Sequence, residues 1–435
     1  MSSAPLRSAV AVSALLSVCA SPFLFGAVER TVWIPLSVLW MALGLAAHLL
    51  RPHESARANA GEILSQALLP LHALFAIQLL PLPGGALGFL SPGSFAAHFL
   101  PDPGDGRWRP LSVSPGATIE AWLYVAALQG LFLAMQGLSS VRRRTAIHAI
   151  LGVAVVLGAE GLWQSRSEHP FLLYGRVPIE APSGLDQSTF GPYFNRNHFA
   201  TVTAMGCGLA AGLAASLGVQ SGGLRGLLAS SRALPRSIVL VGVSLFLALS
   251  TAASGSRSGT LAALGALAVA ALRGFGKRFF LTVALSGVVG VVLAGPAAVE
   301  RMTHLDLQAS RWVPWLDMTT LFRFFPVFGS GIGTFGAAYW PYQRNAVYEF
   351  WQHAHNEYLE WGIEAGLVGI GVLFLVLQSV RREFRLADYG RLAGQCAVIA
   401  FMVQGTLDFP QRIPANGALL VCLMAATTER RPSRS

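Results

Sequence analysis

Charged side chains are scarce in this chain. They make up 12% of its 435 residues, about half of the roughly 25% that is usual in soluble domains, whereas hydrophobic residues make up 53%. Such a chain cannot cover its surface with polar groups, and this excludes a soluble multidomain protein. Intrinsic disorder is excluded as well, because it requires low hydrophobicity and high charge density. A mean hydropathy of +0.54 indicates an all-α polytopic membrane protein.

Lysine and cysteine are also rare. Lysine occurs once, at Lys277, and cysteine occurs only at Cys19, Cys207, Cys396 and Cys422. The basic residues fall in short groups between apolar runs, and this scatter argues against a nucleic-acid-binding surface. No two cysteines form a CxxC pair, so we predict neither a disulfide framework nor a thiolate metal site.

Long apolar runs dominate the rest of the sequence. A helix needs about 20 largely apolar residues to cross a hydrocarbon core of roughly 30 Å, and we predict about twelve membrane-spanning helices. The predicted spans are Ala9–Val28, Thr31–Leu50, Ile63–Leu80, Ile119–Leu138, Ala146–Gln164, His198–Leu217, Ser237–Ser254, Ser258–Leu272, Phe279–Ala297, Gly362–Val380, Leu392–Phe409 and Ile413–Thr427.

The basic residues are distributed unevenly between alternate connections. If the N-terminus is cytoplasmic, the cytoplasmic segments hold 19 of the 31 basic residues and five of the 21 acidic ones. These segments then carry a net charge of +14, and the remainder of the chain carries −4. Because positive charge concentrates on the cytoplasmic side of membrane proteins, we predict that both termini are cytoplasmic.

Three connections on the predicted outer side are too long to be simple turns. They comprise residues 81–118, 165–197 and 298–361, and the last lies between the ninth and tenth predicted spans. Long loops in a compact bundle are where function is usually located. We therefore expect a single integral-membrane domain over 1–435 whose functional face is extracytoplasmic.

The connection Ser254–Gly259 joins the seventh and eighth predicted spans at the outer boundary and contains Arg257. Ser256 or Ser258 can cap the helix that follows, so its free N–H groups would lie beside a guanidinium group. That arrangement suits an anion, and a diphosphate in particular. The alternative is an arginine that extends to the membrane interface from a hairpin of small residues.

Arg196 lies at the start of the sixth predicted span, which also begins on the outer side. Asn195 or Asn197 is a plausible cap for this helix. A second arginine would then lie beside a second outward-facing helix start. Two such sites on one face favour a shared anion, and a capped helix with a solvated arginine is the alternative.

A cluster of titratable and polar residues precedes the tenth predicted span. Its members are His353, His355, Asn356, Glu360 and Glu364. Histidine suits proton transfer near neutral pH, and an adjacent carboxylate can fix its tautomer. Asn356, Glu360 and Glu364 would share one face of a helix. On a helix the two histidines would point to different sides, whereas on an extended segment they could bind one metal ion. The alternative is a polar cluster that only closes the end of the span.

Two of these elements resemble motifs of the O-antigen ligase and polymerase superfamily. One is its arginine-x3-leucine element, and the other is its histidine-asparagine-x9-glycine-x-x-glycine element. The matching residues are Arg257 and Leu261, and His355, Asn356, Gly366 and Gly369. The large outer loop just before the histidine agrees with the family too, and the resemblance is clearest over 198–409.

The resemblance implies an enzyme of the bacterial inner membrane with its active site facing the periplasm. It would transfer an undecaprenyl-diphosphate-linked glycan, with inversion, to a sugar hydroxyl of a glycan or lipid A core acceptor. Polymerases of O-antigen or exopolysaccharide repeats, ligases and protein O-glycosyltransferases all occur in such a group. Other envelope polysaccharide assembly proteins are expected partners, and no cofactor or metal is expected.

The resemblance also implies roles for individual residues. Arg257, together with Arg196, would hold the diphosphate and stabilise the charge that develops on it. His355 would act as the general base towards the acceptor hydroxyl. The remaining polar residues of the cluster are predicted to bind substrate. They are His353, Asn356, Glu360 and Glu364.

Two other classes of function remain open from the sequence. A transporter or flippase for a lipid-linked glycan would use arginines in a membrane cavity equally well, but it needs charged groups near the middle of its helices. The predicted spans carry almost no charge, and the notable groups gather at the outer boundary. A scaffold without enzymatic activity would need neither His355 nor the two arginines.

Overall fold

A computed structural model describes residues 4–50, 66–100, 107–166, 190–293, 312–343, 351–386 and 390–427. Most of these residues are helical, and eight helices among them are long and apolar enough to cross a membrane. The prediction of an all-α polytopic membrane protein is therefore confirmed. The finer prediction of twelve spans stays a prediction.

The helices are named here in chain order. They are α1 (Ala4–Ala20), α2 (Arg30–Leu49), α3 (Leu69–Leu79), α4 (Gly84–Leu90), α5 (Pro92–Phe99), α6 (Pro115–Met135), α7 (Ser140–Gln164), α8 (Arg196–Gln220), α9 (Leu224–Ala229), α10 (Ala233–Ala253), α11 (Arg257–Leu293), α12 (Trp312–Thr319), α13 (Phe335–Tyr339), α14 (Glu357–Leu386), α15 (Arg391–Gly405) and α16 (Pro414–Thr427).

Short 3₁₀ helices and one small sheet complete the described structure. The 3₁₀ helices are Ser21–Phe23, Phe25–Ala27, Thr320–Arg323, Trp340–Tyr342 and Pro410–Arg412. Strands β1 (Pro81–Leu82) and β2 (Arg109–Pro110) pair antiparallel, with Pro81 opposite Pro110.

The eighth and ninth predicted spans form one helix, α11, which is interrupted at Gly276 (φ 84°, ψ 178°). This glycine lies in the basic connection that was predicted to separate the two spans, and only glycine adopts such a backbone conformation readily. The last residues of the ninth predicted span, 294–297, lie outside the described residues. Helices α3, α15 and α16 have 11, 15 and 14 residues, so they are shorter than a typical span.

Helix α8 is the centre of the bundle, and 83% of its most apolar window is buried. It packs against α10, α11 and α15. Small residues allow this close packing: a Cβ atom added at Gly212 would lie 2.4 Å from Cα of Ala393 in α15. The packing of α8 along its length therefore fixes the position of its first residue, Arg196, in the bundle.

Contacts at the two ends of the bundle fix the relative direction of the helices. At one end, Arg143 donates hydrogen bonds to the carbonyl oxygens of Leu138 (3.1 Å) and Ala425. At the opposite end, the hydroxyl of Tyr193 donates to Oδ1 of Asn416 (2.9 Å). Helix α16 therefore runs from the end that contains the start of α8 towards the end that contains the start of α7.

Helix α14 is broken at Gly366, whose φ is +63° and ψ is −163°. The loop before α13 fills the break, because Leu367 and Val368 donate their N–H groups to the carbonyls of Pro326 and Val327, both at 3.0 Å. A Cβ atom at Gly366 would lie 2.5 Å from the carbonyl oxygen of Val327. This family-motif glycine is thus required by the backbone.

An aromatic cluster lies between the broken helix and the segment that precedes it. It buries Phe325, Phe335 and Tyr339 beside Ala354, with Trp315 packed against it. The indole N–H of Trp315 donates to the carbonyl of Ala354 (2.7 Å). The cluster therefore anchors the chain immediately before His355.

Candidate active site

Arg257 is the first residue of α11 and is exposed. The residue before it, Ser256, caps the helix, because its hydroxyl oxygen accepts from the N–H of Gly259 (3.2 Å). The same hydroxyl donates to Oδ1 of Asn197 (2.7 Å). The start of α11 is thus tied to the start of α8.

Arg196 is the first residue of α8, and Asn195 is its N-cap, with Oδ1 accepting from the N–H of Asn197 (2.8 Å). The guanidinium of Arg196 lies beside the turn that leads into Arg257: a Cβ atom added at Gly255 would be 3.4 Å from its Nη1 atom. Two helix starts, each with an arginine, are therefore neighbours. Helix N-termini attract anions, so this surface is electropositive.

Gln404, near the end of α15, joins these two starts. Its side-chain amide donates to Oγ of Ser258 (3.0 Å) and to the carbonyl of Asn197 (3.2 Å). Four residues later the chain reaches Asp408. The arginine-bearing end of the bundle and the connection between α15 and α16 are therefore part of one hydrogen-bonded region.

His355 lies in the non-helical segment before α14, with Nδ1 3.3 Å from Oδ1 of Asp408. The imidazole is 28% exposed, whereas the carboxylate of Asp408 is fully buried. An ionised carboxylate only accepts hydrogen bonds, so it favours the tautomer in which His355 Nδ1 carries the proton. In that tautomer Nε2 retains its lone pair and can accept a proton.

The ring of Phe409 joins three histidines. Its centroid lies 4.1 Å from that of His353, 5.0 Å from that of His355 and 5.1 Å from that of His198. The non-helical residues 351–356, which contain His353 and His355, are called the histidine segment. His198 is two residues after Arg196, so Phe409 connects the histidine segment to the end of the bundle that contains Arg196 and Arg257. The Nε2 atom of His198 is buried and has no hydrogen-bond partner among the residues that the structure describes.

The other polar residues of the cluster are engaged inside the protein. Asn356 caps α14, because its Oδ1 accepts from the N–H groups of Tyr358 (3.1 Å) and Leu359 (3.0 Å). Glu360 is fully buried and lies 2.8 Å from Nδ1 of His353. Glu360 and Glu364 lie one turn apart in α14, as predicted, whereas Asn356 precedes the helix and is its N-cap.

Arg412 lies in the 3₁₀ helix after Phe409 and contacts three glutamates of α14. Its Nη2 lies 2.6 Å from Oε2 of Glu364, and its Nε lies 3.0 Å from Glu360 and 3.6 Å from Glu357. Burial lowers the pKa of Arg412, but Glu360, Glu364 and Glu357 together raise that pKa above its ordinary value. The guanidinium is therefore charged at every accessible pH.

Glu364 also binds the loop opposite, because its Oε1 accepts from the N–H of Phe335 (2.8 Å). Its backbone carbonyl accepts from the side-chain amide of Gln78 (2.8 Å). These bonds connect α14 at Glu364 to α13 and to α3. Glu364 thus lies in the framework of the site rather than at its surface.

No group of three metal-ligating side chains occurs within the described ranges. His353 and His355 both lie on a non-helical segment, and this is the case in which the sequence allowed them to bind one metal ion. Their Nδ1 atoms instead approach different carboxylates, those of Glu360 and Asp408. Each imidazole therefore has a carboxylate beside its Nδ1 atom, which is the arrangement that acid–base chemistry requires.

An apolar cavity of about 240 Å³ lies between α3, α6, α14, α15 and α16. It extends along α14 from Glu357 and Tyr358 to Val380. Its walls are almost entirely aliphatic and aromatic, and Glu357 marks its polar end beside Arg412. The cavity thus follows the membrane-spanning part of α14 and ends next to the histidine segment.

The structure brings Arg196, Arg257, His353 and His355 to one end of the bundle. Sequence reasoning missed Asp408 and Phe409, which were absorbed into the end of the eleventh predicted span, and Arg412, which lies between the eleventh and twelfth predicted spans. One signal could have found them: Asp408 and Arg412 are charged residues at the outer boundary, where the other site residues were predicted. His198 was taken only as the first residue of a span.

Comparison with known families agrees with the motifs. Residues 242–374 match the family model described as O-antigen ligase, and this stretch contains Arg257, His355 and the break at Gly366. None of the curated proteins compared with the chain matches it. The match supports a membrane glycosyltransferase-like ligase that acts in lipid-linked glycan transfer. The resemblance of this chain to the O-antigen ligase and polymerase superfamily is therefore confirmed over residues 242–374.

Proposed function

We propose that the protein transfers an undecaprenyl-diphosphate-linked oligo- or polysaccharide to an acceptor sugar hydroxyl on the periplasmic side of the bacterial inner membrane. The observation that carries this proposal is the pairing of His355 with the buried Asp408 (3.3 Å). Through Phe409, that pair lies in the same region as the helix start at Arg196. The reaction requires a base for the acceptor hydroxyl and an anion site for the diphosphate, and in this proposal both lie on one face of the protein.

In the proposed step the acceptor hydroxyl attacks the anomeric carbon of the donor sugar from the face opposite the diphosphate. The new glycosidic C–O bond forms as the bond to the diphosphate oxygen breaks, and the configuration is inverted. The hydroxyl proton passes to Nε2 of His355, and Asp408 stabilises the imidazolium that results. Undecaprenyl diphosphate leaves with the bonding electron pair.

Charge therefore develops on the leaving diphosphate, and Arg257 and Arg196 are proposed to stabilise it. A guanidinium can form two parallel hydrogen bonds with phosphate oxygens. The free N–H groups of the two helix starts add to this field. No soluble energy source is required, since the diphosphate linkage is already activated.

The other predicted substrate-binding residues take different places in this proposal. Asn356, Glu360 and Glu364 hold the histidine segment, because their polar atoms are engaged within the chain. His353, whose ring is 26% exposed, faces the acceptor side beside His355. The apolar cavity along α14 would accommodate part of the polyprenyl chain of the donor.

The test is a transfer assay with purified protein in nanodiscs, a defined undecaprenyl-diphosphate-linked donor and a matching acceptor. Wild-type protein should form a product of inverted anomeric configuration, with and without EDTA. If a verified acceptor gives no transfer while the donor crosses the bilayer of reconstituted vesicles, the transporter alternative replaces the proposal. A deletion strain separates the subclasses: single lipid-linked repeats indicate a polymerase, and completed chains indicate a ligase.

A further inference from the structure

The connection Thr406–Ile413 between α15 and α16 contacts the histidine segment and the start of α14 at three residues, Asp408, Phe409 and Arg412. Asp408 approaches His355, and its backbone carbonyl accepts from the N–H of Glu357 (3.2 Å). Phe409 stacks on His353. Arg412 is the third residue of this connection that acts on the histidine segment, although it is distant from both histidines in the sequence.

Arg412 reaches the histidine segment through one carboxylate. Its Nε lies 3.0 Å from Oε1 of Glu360, and Nδ1 of His353 lies 2.8 Å from the same oxygen. The second oxygen of Glu360 accepts from the backbone N–H of Ala354 (2.8 Å). The contact of Arg412 Nε with Glu360 is an ion pair without a hydrogen bond. Arg412 thus attracts by charge the carboxylate that contacts the backbone of Ala354 and the ring of His353.

His355 needs such a restraint, because its backbone φ is +51°. A residue with a Cβ atom is disfavoured in this conformation and keeps it only when its surroundings force it. Glu360 fixes the peptide on one side of His355, and the cap formed by Asn356 fixes the other. Loss of the restraint from Glu360 would let the backbone at His355 leave this conformation, and the imidazole would move with it.

The geometry also explains why this residue is arginine. Its Nη2 lies 2.6 Å from Glu364 while its Nε lies 3.0 Å from Glu360, so one planar group spans two carboxylates one helical turn apart. A lysine ammonium is a single point of charge and cannot hold both in a fixed relation.

We propose that Arg412 is a positioning residue for His355, acting through Glu360 and the backbone of Ala354. This inference rests on the proposed function, in which His355 is the base. It predicts that loss of Arg412 lowers turnover by misplacing the imidazole, and that donor binding at the two arginine-bearing helix starts is unaffected.

The first experiment compares Arg412→Met and Arg412→Lys with wild type in the nanodisc assay. A displacement of about 1 Å costs about 100-fold in rate, so we expect kcat to fall by about that factor in both variants while KM for the donor stays the same. Arg30→Met is the matched control. Arg30 forms an ion pair of 2.8 Å with Glu120, but its side chain is 72% exposed, and this variant should keep wild-type kcat.

Arg412→Met leaves buried carboxylates without a counter-charge and can fail to fold. The triple variant Arg412→Met/Glu357→Gln/Glu364→Gln removes two of those charges and keeps the pair of Glu360 with His353. It should fold and still show the fall in kcat. Wild-type kcat in a folded triple variant would overturn the proposal.

A second readout is independent of glycan transfer. Carbethoxylation of individual histidines by diethylpyrocarbonate, followed by mass spectrometry, reports the surroundings of each imidazole. The rate at His355 should change in the Arg412 variants, while the exposed His148 reacts at the wild-type rate. Absence of transfer by wild-type protein would contradict the proposed function but would not affect the carbethoxylation measurement. Unchanged reactivity of His355, or a rise in KM that accounts for the whole loss, would overturn the role of Arg412.

Discussion

Nδ1 of His355 lies 3.3 Å from Oδ1 of Asp408, although 53 residues separate the two in the chain. The carboxylate is completely buried, and the imidazole is partly exposed. One partner is thus shielded from water while the other can meet a substrate. This is the relation expected of a base and the group that orients it.

Replacement of Asp408 tests that relation. Asparagine keeps the shape but presents an amide whose NH₂ group can face Nδ1, and this favours the tautomer with the proton on Nε2. We expect Asp408→Asn to lower kcat by about 10²- to 10⁴-fold. Asp317→Asn is the control, because this buried carboxylate accepts from Tyr339 (3.1 Å) in the aromatic cluster. Equal turnover of the two variants would remove Asp408 from the mechanism.

The two histidines should differ in importance. His355→Ala removes the proposed base, so transfer should become undetectable while the lipid-linked donor still binds. His353→Ala should be milder, because its imidazole contacts Glu360 and Phe409 rather than the reacting hydroxyl. Product formation and donor binding, measured on the same preparations, check this. A dead His353→Ala beside an active His355→Ala would mean that the base is His353.

Arg257→Lys keeps the charge but should be severely impaired. A planar fork contacts two diphosphate oxygens, whereas an ammonium contacts them as a point charge. Loss of one oriented transition-state contact costs about 3–4 kcal/mol, which corresponds to a fall of two to three orders of magnitude in kcat. Arg30→Lys, at an exposed ion pair, should be unaffected. Near-normal glycan assembly at a normal protein level would place Arg257 outside the site.

Local features of the site could be predicted from the sequence. Asn195 and Ser256 cap helices that begin one residue later, and a cap needs only its own neighbours. Arg257 and His355 were identified by motif spacing along a short stretch. All of these depend on residues that are close in the chain.

The partners of the histidines could not be predicted in this way. Arg412 meets Glu364 across 48 residues and Asp408 meets His355 across 53, so both pairs depend on how α14, α15 and α16 pack. The break at Gly366 is also a tertiary feature, since the loop at Pro326 and Val327 supplies its hydrogen-bond acceptors. Hydrophobic periodicity carries no information about such contacts.

Membrane sidedness is a separate prediction. The positive charge of alternate connections predicts that both termini are cytoplasmic. The hydrogen bond from Arg143 to the last turn of α16 is consistent with a common end for the start of α7 and the C-terminal helix. Reporter fusions after Arg144, Arg236 and Arg385 should all give a cytoplasmic signal. A periplasmic signal at any of the three would break the alternation and reverse the proposed side of the active site.

Gly366 and Gly371, both in α14, form a matched pair for the last prediction. Gly366 has φ +63°, and an added Cβ atom would lie 2.5 Å from the carbonyl oxygen of Val327. Gly371 has no atom within 4 Å of such a Cβ. Alanine at 366 should therefore lower the free energy of unfolding by more than about 1–3 kcal/mol, the cost of the strained φ alone. Alanine at 371 should raise it by about 0.5–1 kcal/mol, because alanine is the better helix former. The midpoint of thermal unfolding of each purified variant measures both, and a stable, active Gly366→Ala protein would show that the break in α14 is not required.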